Sequence, residues 1–374
     1  MKKYKLLYFV SEDKYFLSHK ISHAIFAKNN GFDVLVVCNL TKYEKRIREK
    51  GIKVLGVETL RKTINPINQV SIIIKFLEII KNFKPDIIQN IALKPILIGS
   101  ISAIFSKKKI IVVNAFVGLG YLYINNNFLT KILRLITNNI LKLVSKKKNF
   151  FSVFQNLDDL NLFNSLKIVD NKRSFIIRGS GVDTNHFKPK KIKKKYDVIL
   201  HSRMLKDKGI FEFIEAIKNI NKKKKISALL LGSPDDQNLA SINKHKLENW
   251  NTKKIVNWIS YKENVVDYLH QSKISVLPSY REGFPKSLLE AASCGLPIIA
   301  TDVVGCKEIC IDNFNGILIK KHDSNSIENA INIILCDKNK LKSYSKNSRK
   351  LVLKHFCVKK ISKEFTDLYL KIIC

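Results

Sequence analysis

Short runs of β-branched and other apolar residues alternate with amphipathic stretches along almost the whole chain. In the first half the runs fall at residues 5–10, 33–38, 53–57, 86–90, 110–115, 151–155 and 174–177, and stretches with helical spacing at 17–28, 66–82, 95–105 and 128–145 separate most of them. Continuous apolar strands between amphipathic helices predict a parallel sheet covered on both faces. The pattern restarts after residues 190–195, a lysine-rich stretch poor in apolar residues that reads as a linker. Beyond it come strand candidates at 197–201, 226–231, 255–260, 274–277, 298–301 and 316–319, again with helices between them. The expectation is an α/β protein with two doubly wound, Rossmann-like domains facing a cleft, spanning 1–188 and 189–357, with a last helical segment from 358.

Length agrees, since 374 residues exceed one ordinary core. The seven cysteines are scattered, with no Cys-x-x-Cys and His at metal spacing, and the nearest pair, Cys306 and Cys310, reads as core or surface thiols. The opening apolar run, residues 6–10, is short and meets Ser11-Glu12-Asp13 at once, so no secretory leader is expected and the reducing cytoplasm is the expected compartment. Lys75, Glu78 and Lys81 interrupt the most hydrophobic helical region, which therefore does not read as a membrane span.

The formal charge of +36 changes the picture more. Arg, the residue suited to bidentate phosphate and base-edge contacts, is scarce beside Lys, which argues against nucleic acid. An anionic membrane surface is the expected partner, with lysines of the first domain supplying a reversible, salt-sensitive contact on the inner face of the cytoplasmic membrane. Residues 128–148 have the composition of a basic amphipathic helix, but their apolar face is assigned chiefly to packing against the sheet.

The densest candidate chemistry follows the strand at 274–277: Ser279-Tyr280-Arg281-Glu282-Gly283-Phe284-Pro285-Lys286-Ser287-Leu288-Leu289-Glu290-Ala291-Ala292. Gly283 permits a sharp turn, Pro285 suits a first helical turn, and the amides that follow make a place for an anion. Glu282 in the turn and Glu290 roughly two turns into the helix cannot share a metal through neighbouring positions, but both can reach one extended polyhydroxyl ligand. A phosphate flanked by hydroxyl acceptors describes a sugar nucleotide.

The spacing of Glu282 and Glu290 resembles the E-x7-E signature of retaining GT-B glycosyltransferases of family 4, the glycosyl transferases group 1. Other segments agree in order: Gly179-Ser180-Gly181-Val182-Asp183 with Phe187-Lys188-Pro189, then Ser202-Arg203-Met204-Leu205-Lys206-Asp207-Lys208-Gly209, then Leu230-Leu231-Gly232. The resemblance covers nearly the whole chain. It implies that Arg203 and Lys208, just after a strand, neutralise the diphosphate leaving group. It also implies that Glu290 holds the ribose hydroxyls, that Glu282 holds the transferred sugar, and that the backbone around Gly283, Phe284, Lys286 and Ser287 faces sugar or phosphate. The segment from 358 resembles the GT-B terminal helix that crosses back onto the first domain. No cofactor is implied; the cationic pair replaces a metal, and Asp158-Asp159 and Asp235-Asp236 are adjacent pairs in loops or helix starts rather than Asp-x-Asp.

Acceptor-side signals are thinner. Asn114–Tyr121, with Gly118 and Gly120, resembles a loop in the subgroup acting on lipopolysaccharide, capsular or lipid-linked glycans, as do Ser18-His19-Lys20 and Lys94-Pro95. Gln89 and Asn90 stand where that subgroup has His, which leaves His19 and Lys94 as the acceptor-side candidates. The implied reaction moves a hexose or N-acetylhexosamine from a nucleoside diphosphate sugar, UDP-linked, to a hydroxyl of a lipid-anchored glycan. Competing readings are a sugar-nucleotide 2-epimerase, disfavoured by few histidines at strand ends, and a non-catalytic membrane-bound assembly protein, disfavoured by the intact Arg203, Lys208, Glu282 and Glu290.

Overall fold

The computed structural model describes residues 3–58, 66–119, 121–124, 127–235, 238 and 240–373. The chain divides into two compact units, one of residues 1–180 and 358–374, the other of residues 181–357.

The first unit contains β1 (Tyr4–Glu12), β2 (Phe32–Asn39), β3 (Lys53–Gly56), β4 (Ile87–Ile91), β5 (Ile111–Phe116), β6 (Phe150–Phe154) and β7 (Ser174–Ile176). All pair in parallel, in the order β3-β2-β1-β4-β5-β6-β7. Side chains alternate between sheet faces, so β1 feeds two cores at once. Leu6, Tyr8 and Val10 pack with the helices Ile21–Asn29 and Val358–Ile373, whereas Leu7 and Phe9 pack with Phe76 and Ile80 of the helix Pro66–Phe83. That double burial explains why β1 reads as an unbroken apolar run. The C-terminal helix joins this unit through Phe365, Leu368 and Tyr369, and the Tyr369 hydroxyl bonds Gln89 on β4 and lies 3.3 Å from that of Tyr8.

In the second unit β8 (Tyr196–His201), β9 (Ala228–Leu231), β10 (Asn257–Ile259), β11 (Ser272–Leu277), β12 (Ile298–Thr301) and β13 (Gly316–Ile319) form a parallel sheet ordered β10-β9-β8-β11-β12-β13.

Two local readings are corrected. The helix expected over residues 17–28 is two helices, Asp13–His19 and Ile21–Asn29, because Lys20 leaves helical geometry at φ −127°, ψ −11°. The lysine-rich 190–195 stretch does not separate the units. Residues before it already belong to the second: Val182 donates to the Phe356 carbonyl at 3.0 Å, and the Arg349 guanidinium donates to the Thr184 and Phe187 carbonyls at 3.0 and 2.8 Å. Five donors on one planar group suit Arg349 to gathering loop carbonyls in this way.

Candidate active site

In both sheets the strand order reverses beside the first strand of the unit, between β1 and β4 and between β8 and β11. Loops leaving the carboxyl ends of such neighbours run to opposite faces, and the crevice between them is where open α/β sheets hold ligands. The glutamates, Arg203 and Lys208 all leave strands at the β8/β11 switch point.

The loops there are locked together. A 3-10 turn, Lys206–Lys208, ends at Gly209 with φ +69°, and a Cβ at Gly209 would lie 2.0 Å from the Pro278 carbonyl oxygen. Only glycine lets these backbones approach so closely. The Asp207 carbonyl then accepts from the Tyr280 amide at 2.8 Å. Gly305, at φ +81°, brings the loop after β12 against the backbone of Glu282 and Gly283 in the same manner.

This convergence places the Lys208 ammonium 2.5 Å from Glu282 Oε1, with each side chain 13% exposed. Ser279 Oγ donates to the same oxygen at 2.6 Å. Eight residues on, Glu290 lies in the helix Lys286–Ser293 with Oε1 3.4 Å from the Lys286 ammonium and Oε2 3.5 Å from His201 Nε2. Burial opposes ionisation of Glu290, but the His201 and Lys286 contacts outweigh it and hold the carboxyl below its ordinary range. The 3.5 Å His201 contact is too long for a good hydrogen bond, and neither ring nitrogen has a hydrogen-bond partner among the described residues. Both carboxylates therefore have partners within the protein.

Arg203 is set apart from Lys208 in its contacts: its guanidinium is half-exposed and bonded to Asp235 at 2.7 Å. Pro285 caps the helix in an extended conformation, so helical geometry begins at Lys286 rather than at the proline. The Phe284 side chain points into the core, edge-on to Phe356, which leaves only its backbone for a ligand. Ser287 is half-buried on the first turn. Cys306 and Cys310 are both buried in the same core, and burial pushes each thiol up.

In the first unit, the helix after β1 ends, rather than begins, at His19, whose ring stacks on Tyr15 at 4.4 Å and whose Nδ1 lies 2.7 Å from Ser18 Oγ. Lys94 stands half-buried in the helix Leu93–Phe105, and burial lowers its ammonium pKa. Just before it Ala92 adopts φ +73°, ψ 160°, a region almost reserved for glycine. Gly118 follows β5 at φ +130°, and Gly120 lies outside the described residues. In place of the two expected histidines, Asn90 donates to Asn114 at 2.9 Å inside a buried network with Ser100.

Three residues of these sites have contacts that the sequence did not disclose. His201 was signalled as a polar residue closing an apolar strand, and it supplies the strand-end histidine whose scarcity told against an epimerase. Ser279 is a polar residue just past β11. In the sequence Asp235 stands out only as half of an acidic pair, and its tie to Arg203 depends on β8 and β9 being neighbours.

Residues 181–351 match the family model of the glycosyl transferases group 1, and residues 5–151 that of the glycosyl transferase 4-like domain. With the strand orders above, these matches make the chain a glycosyltransferase of the GT-B class, its second unit matched by the group 1 model and its first by the 4-like one. It is 28% identical over 344 residues to the N,N'-diacetylbacillosaminyl-diphospho-undecaprenol alpha-1,3-N-acetylgalactosaminyltransferase of Campylobacter jejuni, covering 88% of each chain. To the UDP-Gal:alpha-D-GlcNAc-diphosphoundecaprenol alpha-1,3-galactosyltransferase of Escherichia coli it is 24% identical over 358 residues, 92% of this chain and 90% of that one. The fold of Anabaena HepE, solved with UDP and glucose, matches with a TM-score of 0.80 at 16% identity, over 98% of this chain and 100% of that one.

Proposed function

We propose that the enzyme transfers a hexose or N-acetylhexosamine from a UDP-linked donor to a hydroxyl of a diphosphoundecaprenol-linked glycan, with retention at the anomeric carbon. The observation that carries this reading is the Lys208–Glu282 contact across the two switch-point loops. A buried ammonium held by one carboxylate is poised to exchange part of that interaction for a diphosphate. As the bond from the anomeric carbon to the diphosphate oxygen breaks, its electron pair and negative charge move to the diphosphate. Lys208, joined by Arg203 once it leaves Asp235, stabilises that charge as it develops. Glu290, kept ionised, accepts from the ribose hydroxyls, and Glu282 from the sugar being moved. The departing phosphate oxygen takes the proton of the acceptor hydroxyl on the same face, which needs no separate protein base and preserves configuration.

The relatives' names, with UDP-Gal on one side and diphosphoundecaprenol on the other, support the donor and acceptor classes. We assign acceptor contacts to the first unit, around His19, Lys94, Gly118 and Gly120, and the site of action to the inner face of the cytoplasmic membrane. Because Lys208 and Arg203 supply the charge, transfer is expected to survive chelation of divalent ions.

The test incubates the protein with UDP-hexoses and UDP-N-acetylhexosamines, with and without a diphosphoundecaprenol-linked sugar, and follows products by NMR. A new α-linked glycoside that forms only with acceptor is expected. A C2 epimer of the donor sugar formed without acceptor would replace this reading with the epimerase.

A further inference from the structure

The helix Phe128–Ser145 packs Leu141 and Val144 inward as expected but turns six other apolar residues outward, against the expectation that they pack against the sheet. Its buried positions are Thr130, Thr137, Leu141 and Val144. Outward it shows Phe128 at 76% exposure, Leu129 at 71%, Leu135 and Leu143 at 63%, with Ile132 and Ile136 between them. At about 100° per residue these six fall within an arc of about 120°, opposite the buried one. Lys131 and Lys142 border the arc on one side, and exposed Lys146, Lys147 and Lys148 continue from its C-terminal end. The neighbouring helix Leu93–Phe105 adds exposed Ile104 and Phe105, with the latter at 71%.

We infer that this face seats in the headgroup–acyl boundary of an anionic bilayer. An apolar surface this continuous marks an interaction site. The charge around it selects the occupant: between Asp86 and Asp158 the chain carries ten basic and no acidic residues. A second copy docking by the same face would set those lysines against each other, whereas anionic lipid neutralises them. Among the described residues no helix is long and apolar enough to cross a membrane, so the geometry is that of a helix lying in the interface plane. The inference deepens the reading that the acceptor is carried on a membrane lipid, and rests on it for its biological sense.

The test is sedimentation with phosphatidylcholine vesicles, with and without phosphatidylglycerol. The wild-type protein is expected to pellet with the anionic vesicles, more weakly as salt rises. Leu129→Asn/Leu135→Asn/Ile136→Asn should lower the partition coefficient by more than about tenfold, with unchanged circular dichroism. Leu353→Asn, an exposed apolar position of the second unit, should bind as the parent does. Lys146→Glu/Lys147→Glu/Lys148→Glu gives a second variant that leaves every buried contact alone and should lose binding at low salt. Equal pelleting of the triple Asn variant and the parent would overturn the assignment. So would a wild-type dimer in light scattering that the triple Asn variant dissolves, because the face would then belong to a second copy. Transfer to a short-chain, water-soluble acceptor separates the two readings: transfer without vesicle binding sinks the docking face alone, and vesicle binding without transfer sinks the transferase reading alone.

Discussion

The two units share a strand order, and each largely buries a lysine, but they hold the two ammonium groups in opposite ways. At the β8/β11 switch point charges meet in pairs: Lys208 meets Glu282, and Glu290 meets Lys286. In the first unit Lys20, only 1% exposed, has no hydrogen-bond partner for its ammonium among the described residues. That ammonium lies 4.8 Å from the Phe365 ring. Burial lowers its pKa to about 7, and burial together with the Lys20 charge pushes the neighbouring His23 well below its ordinary value. Paired charges create a site that can exchange partners with a ligand at little cost. A lone buried lysine stores instability, which folded structures retain where something other than stability is selected.

The largest effect expected from this contrast is a gain. In the unfolded chain Lys20 titrates near 10.5 and in the folded one near 7, so below pH 7 the full penalty of burying the charge applies, and stability rises as pH climbs from 7 to 10. Lys20→Met is expected to stabilise the first unit at pH 7 by on the order of 3–4 kcal/mol and to flatten that alkaline rise. Denaturant melts across pH 6 to 10 check it. A loss of stability, or an unchanged slope, would mean that the ammonium is satisfied where it sits.

Next in size is Lys208→Ala, expected to lower turnover by a factor of roughly 100 while leaving substrate-free structure intact. Arg203→Ala should fall in the same direction, and near-parental turnover in both would remove the proposed diphosphate site. Glu290→Gln keeps the shape but not the charge of its contacts, and should weaken UDP binding by roughly tenfold. Glu282→Gln should spare UDP binding and reduce transfer. The smallest effect belongs to the strained backbone beside Lys94: Ala92→Gly is expected to stabilise the first unit by about 1 kcal/mol, because its φ of +73° suits glycine. Melting temperatures of the two proteins decide that point.

The same contrast shows what the sequence disclosed. Strands were legible because parallel strands buried on both faces appear as unbroken apolar runs, as with β1 and β8. The placement of Glu282, Glu290, Arg203 and Lys208 on loops and a helix start after β8 and β11 was legible because they lie in short ordered segments whose glycines and proline mark turns. The lone charge of Lys20 was hidden: its surroundings come from a helix break and from Phe365, more than three hundred residues away in sequence. His201 and Asp235 were hidden for a related reason, because their partners are supplied by strand order rather than by neighbours in the chain. The outward apolar face of Phe128–Ser145 is hidden in the sequence because its apolar residues divide between two faces, Leu141 and Val144 inward and six others outward, and only packing reports which of them meet the core. Here Thr130 and Thr137 face inward and Leu129 and Leu135 outward.

The measurement that bears most directly on the account is calorimetric titration of UDP into the parent, Lys208→Ala and Lys20→Met proteins. If the donor's diphosphate is held at the β8/β11 switch point, the parent and Lys20→Met should bind UDP alike, and Lys208→Ala should bind it at least about tenfold more weakly. Equal binding by the parent and Lys208→Ala, or loss of binding in Lys20→Met alone, would contradict it and move the nucleotide to the first unit.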